Sequence, residues 1–374
     1  MTPGADFVPR QPEGTKREAQ RLFSFFKAAG GISIDTEILQ PAGTLLDLYG
    51  EDIRSRAFVL NDPDRGELVL RPDFTVPVST YHLSAKADRQ RYVYLGTVFR
   101  RQLGSVPRPA EYLQVGFEDL GRFDTARADA EAFALVSDAL GGTAFRPATG
   151  DLGILIAAVE GLDTAARRKS ALLRHIWRPA RFRSLLERFS SATISPAREK
   201  LLRSVEQRPV AELVEAAGQL AGERTVAEIE DRIEALSEDA ATPPLEKKQV
   251  EALEFLQRQR GTSTDAYEKL RRLESDLPGI KPVLDKMSER LGQLESCGVD
   301  VDSLDFDSSF GRTMLEYYDG FVFGFYSPAR SNQPFAASGG RYGALTRIIS
   351  KGKEIPAVGA IVRPAIVREQ ELRG

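Results

Sequence analysis

At 374 residues the chain is longer than the ~250–300 residues at which single cores stop growing, so two domains are expected. Fifty-one Lys and Arg against 54 Asp and Glu leave a net charge of −3, which gives no bulk reason to expect nucleic-acid binding. A single cysteine, Cys297, excludes an internal disulfide framework and is expected to be a buried bystander, and two histidines, His82 and His175, weigh against zinc hydrolases and His-based triads, so no metal and no cofactor are expected.

The N-terminal stretch Met1 to Gln20 is rich in Pro, Gly and charge and has no apolar run like a secretory signal. No segment nears the ~20 consecutive apolar residues of a membrane span, so a soluble, cytoplasmic protein is expected. Leu22, Phe23, Phe25 and Phe26 predict a helix over Glu13 to Ala29, stopped by Gly30-Gly31. A strand over Ile32 to Leu39 runs up to Pro41. Ala57–Leu60 and Glu67–Leu70 flank a turn cluster and predict a hairpin, which delivers Arg71-Pro72-Asp73 to a strand end.

Tyr92 to Phe99 and Glu111 to Leu120 predict a longer hairpin, and Thr125 to Leu140 a helix closed by Gly141-Gly142. From Ala165 to Cys297 the chain is dominated by Ala, Leu, Glu, Arg and Lys at helical spacing. Strands return at Ser303–Asp307, Gly320–Tyr326 and Ala357–Val362. Consecutive hairpins without strand–helix alternation predict an α+β fold with an antiparallel sheet and flanking helices. The domain reading is a core formed by 1–155 and 300–374, with 156–299 as a mostly helical insertion.

Arg100 ends one predicted strand, and Gln114 and Glu118 lie four apart on the return strand, on one face. A guanidinium, an amide and a carboxylate suit an amino acid, since the guanidinium pairs with a carboxylate and Glu118 accepts from N–H groups. A solvated strand with an interstrand ion pair accounts for the spacing equally well. Tyr317 and Tyr318, read as strand residues, point to opposite faces, so regular geometry brings at most one to a shared pocket. Gly339-Gly340 permits close backbone approach, or is a plain turn.

In order, Leu70-Arg-Pro-Asp-Phe-Thr75, Phe99-Arg100, Gln114-Val-Gly-Phe-Glu118, Leu315-Glu-Tyr-Tyr318 and Gly339-Gly-Arg-Tyr342 resemble motifs of the catalytic domain of histidyl-tRNA synthetase. The resemblance covers roughly residues 13–155 and 300–365 and implies a class II aminoacyl-tRNA synthetase-like fold: a mostly antiparallel sheet of six or seven strands, dimeric near Pro41. It also implies a histidine pocket. Asp73 stands where a Glu usually holds the α-amino group, beside Thr75 and Gln114, and Glu118 and Tyr318 match the residues that bond the imidazole. Tyr317, Gly339, Gly340, Arg341 and Tyr342 would complete the wall, and Arg100 matches the arginine shared between carboxylate and α-phosphate.

Apart from Asp73, the departures fall on the ATP side. Gln102 replaces a glutamate that helps hold adenine, Thr313 replaces an arginine that assists adenylate formation, with Arg312 one place early, and Ile366 replaces the arginine that stacks on adenine. Arg363 is a possible substitute, but Pro364 argues against the usual continuation into a helix. The chain ends at Gly374, where the family continues into an anticodon-binding domain, so none is expected.

A kept histidine pocket with weakened ATP contacts is similar to the regulatory subunit of short-form ATP phosphoribosyltransferase. That likeness implies a non-catalytic role at the first step of histidine biosynthesis: a homodimer within a hetero-oligomer activates a separate, short catalytic subunit and confers feedback inhibition, with histidine as effector. The alternatives are a short synthetase paralogue that adenylates histidine for a non-tRNA acceptor, and a dimerisation module with a vestigial pocket.

Overall fold

In the computed structural model, which describes residues 12–43, 55–101, 108–141, 145–191, 195–218, 225–311, 317–328 and 334–372, the first helix is Glu13–Ala28 (α1), and Ala19, Leu22 and Phe26 form its buried stripe. The strand expected over Ile32 to Leu39 is broken into Ile32–Ser33 (β1) and Leu39–Pro41 (β2), which join different sheets. Between them the backbone carbonyl of Thr36 is taken by the buried guanidinium of Arg71, so this stretch serves as an anchor instead of a ladder.

The first hairpin runs from Val59–Asp62 (β3) to Gly66–Leu70 (β4), and Asp62 Oδ1 accepts the N–H groups of Asp64 and Arg65 to close its turn. With β2 it makes a separate three-stranded sheet in the order β2-β4-β3. Helix Thr75–Ala85 (α2) follows, then strands Gln90–Phe99 (β5) and Glu111–Leu120 (β6), paired along their full lengths, helix Thr125–Leu140 (α3) and strand Arg146–Asp151 (β7).

Strands Arg260–Thr262 (β8), Asp305–Asp307 (β9), Phe321–Tyr326 (β10), Ala337–Arg341 (β11) and Ala357–Val362 (β12) complete a nine-stranded sheet among the described residues, in the order β1-β5-β6-β12-β11-β10-β7-β9-β8. The sheet is larger than the six or seven strands the resemblance implied, because ribs of two or three residues (β1, β8, β9) extend its edges. Two of its pairings, β1 with β5 and β7 with β9, are parallel, and the rest are antiparallel. The class is α+β, a synthetase-like sheet flanked by helices.

One face of the sheet carries the apolar core. Val93, Val115, Phe117, Phe323, Phe325, Val358, Ala360 and Val362 point to it, covered by Leu22 and Phe26 of α1, Phe133 and Val136 of α3, and Val367 of helix Pro364–Glu371 (α5). The opposite face of β6 packs against α2, and helix Gly343–Ile349 (α4) lies beside α2. Pro364 does not stop a helix; it opens α5 at its first position, where a fixed φ and a missing N–H carry no penalty.

The chain divides into two units, Met1–Ile154 with Arg258–Arg271 and Pro282–Gly374, and Leu155–Gln257 with Arg272–Lys281. The stretch 156–299 is thus shared between them: β8, helix Ser263–Arg271 and nearly all of helix Lys281–Ser296 lie in the unit that holds the sheet. The second unit is helical and is knit by Asp239, whose carboxylate pairs with Arg168, Arg188 and Arg198. Cys297 is exposed, not buried: it immediately follows helix Lys281–Ser296. His82 is fully buried, with Nδ1 at 3.2 Å from the Tyr92 hydroxyl. Among the described residues no helix is long and apolar enough to cross a membrane.

Candidate functional site

Gln114, Gly116 and Glu118 alternate with the core residues Val115 and Phe117, so all three point away from the apolar face. Glu118 is 1 % exposed and accepts from three hydroxyls: Thr75 Oγ1 at 2.8 Å and Tyr94 OH at 3.0 Å on Oε1, and Tyr342 OH on Oε2. Tyr317 OH donates to Thr75 Oγ1 at 3.2 Å, which extends the chain of hydroxyls. Burial outweighs these bonds and pushes the Glu118 carboxyl up to about 7, with the charge of nearby Asp73 adding to the rise.

The room for this carboxylate comes from glycine. Glu118 lies directly opposite Gly359 of β12, where a Cβ would fall 1.7 Å from Glu118 Oε2. Gly359 in turn pairs with Gly340 of β11, where a Cβ would fall 2.9 Å from the Tyr318 ring. Gly340 therefore serves close approach within a strand and is not a turn residue. Gly339 points to the other face, against Phe323 and Ala360.

Tyr317 and Tyr318 are not on a strand but in the irregular segment before β10, so the two-fold alternation does not separate them. Both are buried, their rings are 5.0 Å apart, and Tyr317 also meets Tyr342 edge-on at 5.9 Å. Burial and the charge of Glu118 raise the Tyr318 hydroxyl well above its ordinary range, which keeps it a donor.

At the other end of the site, Asp73 Oδ1 accepts the N–H of Thr75 at 3.0 Å, and Arg100 donates to the Pro72 carbonyl at 2.8 Å with Asp73 Oδ2 at 3.6 Å. Gln114 is 2 % exposed, and its Oε1 has no hydrogen-bond partner among the described residues. A buried acceptor without a donor is a costly feature that a ligand N–H would relieve. Carboxylates for N–H groups and a guanidinium for a carboxylate make the cluster complementary to a zwitterion with an N–H-bearing side chain.

Of the expected residues, Asp73, Thr75, Arg100, Gln114, Glu118, Tyr317, Tyr318, Gly340 and Tyr342 converge here. Arg341 does not: it faces α3, where it forks onto Asp129 Oδ1 at 2.6 and 3.0 Å, and it belongs with Arg290 to a buried charge network. As the neighbour of Gly340 on a strand, it necessarily points to the opposite face. Sequence reasoning passed over Tyr94, which shares the face of Gly96 on β5 and stacks on Phe74 at 4.3 Å, and Gly359. The alternation of β5 was the signal for the first; only the register of β12 against β6 reveals the second. Ile366 is packed against the apolar core, and Gln102, Arg312 and Thr313 lie outside the described residues.

A family model described as Histidyl-tRNA synthetase matches residues 4–243 and 230–365. A solved structure described as an ATP phosphoribosyltransferase regulatory subunit/histidyl-tRNA synthetase from Bacillus halodurans shares the fold at TM-score 0.69 and 24% identity, covering 100% of this chain and 84% of that one. Sheet, site and motif order together define a protein of the histidyl-tRNA synthetase-like class. The ATP phosphoribosyltransferase regulatory subunit of Chelativorans sp. (strain BNC1) is 32% identical over 357 residues, which span 91% of this chain and 94% of that one. That of Brucella anthropi is 30% identical over 341 residues, spanning 87% and 89%. The chain belongs to the family of ATP phosphoribosyltransferase regulatory subunits.

Proposed function

We propose that this chain activates a separate, short ATP phosphoribosyltransferase catalytic subunit and makes it sensitive to histidine, which binds at the Glu118 cluster. The observation that carries the reading is the contrast within one site. The amino-acid end is buried, while the position that the resemblance gives to the adenine-stacking arginine is Ile366, partly buried against the apolar core. A pocket that holds an amino acid without the cations of ATP chemistry is suited to sensing. Histidine needs only to favour one arrangement of the complex, with a coupling of typically ~1–3 kcal/mol.

The chain acts as a cytoplasmic homodimer within a hetero-oligomer. Exposed apolar side chains at Val59, on the small sheet that contains Pro41, and at Ile38, just before its strand β2, support self-association there. The test is reconstitution: this chain is purified with a short catalytic subunit, and phosphoribosyl transfer is assayed with and without it across a histidine titration. Activity and histidine inhibition that both require this chain support the reading; a catalytic subunit equally active and equally inhibited alone refutes it.

A further inference from the structure

Tyr317 and Tyr318 precede β10 in an irregular segment, so no strand pairing sets where their rings stand. The residue after them, Asp319, is bonded on both sides of Tyr342. Its backbone N–H donates to the carbonyl of Arg341 at 3.0 Å, and its Oδ2 accepts the N–H of Ala344, 25 residues away in the chain. The carbonyl of Gly320 accepts from Leu152 at 3.0 Å, and the Arg341 side chain is held on the other face by Asp129. These bonds of Asp319 run to backbone groups of β11 and α4, and they tie the segment of Tyr317 and Tyr318 to the segment of Tyr342.

Gly343 sits between two carboxylates: a Cβ there would fall 3.6 Å from Asp319 Oδ2 and 3.1 Å from Glu354 Oε1. Burial raises the Asp319 carboxyl to about 6, with the charge of Glu354 adding to the rise and the N–H groups of Ala344 and Gly343 and the charge of Arg341 opposing it. At neutral pH the group is therefore ionised, and a charged acceptor holds a backbone N–H more strongly than a neutral one.

Resting on the reading of the Glu118 cluster as a histidine site, we propose that Asp319 is a positioning residue for it: its carboxylate latches the Tyr317-Tyr318 segment to Tyr342. Tyr317 on Thr75 Oγ1 and Tyr342 on Glu118 Oε2 are then presented together, and a ligand meets an assembled chain of hydroxyls. With the latch broken, the two segments must be ordered by the ligand itself, and affinity falls. By linkage, bound histidine in turn stabilises the latch.

The test is calorimetric titration of the full chain with histidine for wild type, Asp319→Ala and Asp319→Asn, together with hydrogen exchange at the Ala344 amide of wild type with and without saturating histidine. Asparagine keeps an acceptor oxygen of the same reach, and alanine keeps none. Asp319→Ala is expected to bind histidine roughly tenfold more weakly, the scale of one charge-assisted hydrogen bond, and Asp319→Asn to recover to within about threefold of wild type. Exchange at Ala344 is expected to slow by about threefold or more when histidine is bound. A folded Asp319→Ala of wild-type affinity, or an Asp319→Asn no better than Asp319→Ala, overturns the latch while leaving the histidine site in place. Unchanged exchange at Ala344 overturns it too, and decides alone if Asp319→Ala fails to fold, as judged by its circular dichroism. Wild type that binds no histidine overturns the sensor reading and the latch with it.

Discussion

Glu118 is a carboxylate that the fold keeps from water and surrounds with hydroxyl donors, so its protonation is tied to stability. Its folded value of about 7 lies above the ordinary 4.5, which means that the folded state binds the proton more tightly than the unfolded chain. The contribution is fully present below pH 4.5 and is lost as pH rises through about 7. Glu118→Gln, which cannot ionise, is therefore expected to gain stability relative to wild type across that interval. Urea denaturation of both proteins at stepped pH measures this, and parallel curves would show that the carboxyl titrates normally. Glu118→Ala is expected to weaken histidine inhibition of the reconstituted enzyme by tenfold or more, at the level of a charged hydrogen bond, while both chains still co-purify. Unchanged inhibition would move the histidine site elsewhere.

At the scale of elements, the site is a product of register. Glu118, Gly359 and Gly340 lie in one row across β6, β12 and β11, and the two glycines keep that row open. Gly359→Ala is expected to destabilise the protein by roughly 1–3 kcal/mol, as for overpacking, and to reduce histidine binding by displacing the Glu118 carboxylate. Chemical denaturation and calorimetry on the same preparation check the two effects, and a variant of wild-type stability and affinity would show that the row is not closely packed. Long elements were legible because their patterns are strong: β6, α3 and β12 have the bounds that alternation and helix-closing glycines suggest. The edge rib β8 carries too few residues for any period to show, whereas β9 falls within the strand expected over Ser303–Asp307. Within the site, Gln114 and Glu118 were legible from their even spacing, whereas Arg341 was misplaced because a run of motif residues on one strand must divide between two faces. Tyr317 and Tyr318 both reach the site only because their segment is irregular, which two adjacent tyrosines do not announce.

Across the whole molecule, the decisive question is whether a synthetase-like core that holds an amino acid also activates it. Adenylation develops charge on the α-phosphate and the pyrophosphate, and losing one electrostatic partner of such a transition state costs on the order of 10²–10³ in rate. Here Ile366, partly buried against the apolar core, stands where the resemblance puts the arginine that stacks on adenine, and by the same resemblance Gln102 and Thr313 replace two further ATP contacts. Arg363, immediately before α5, is tied down by its guanidinium, which donates to the Phe335 carbonyl at 2.7 Å. The isolated chain is therefore expected to bind histidine by calorimetry yet give no histidine-dependent exchange of pyrophosphate into ATP above a no-protein control. Clear exchange under conditions of saturating histidine would mean that other groups supply the missing charge, and the chain would then be an activating enzyme instead of a sensor.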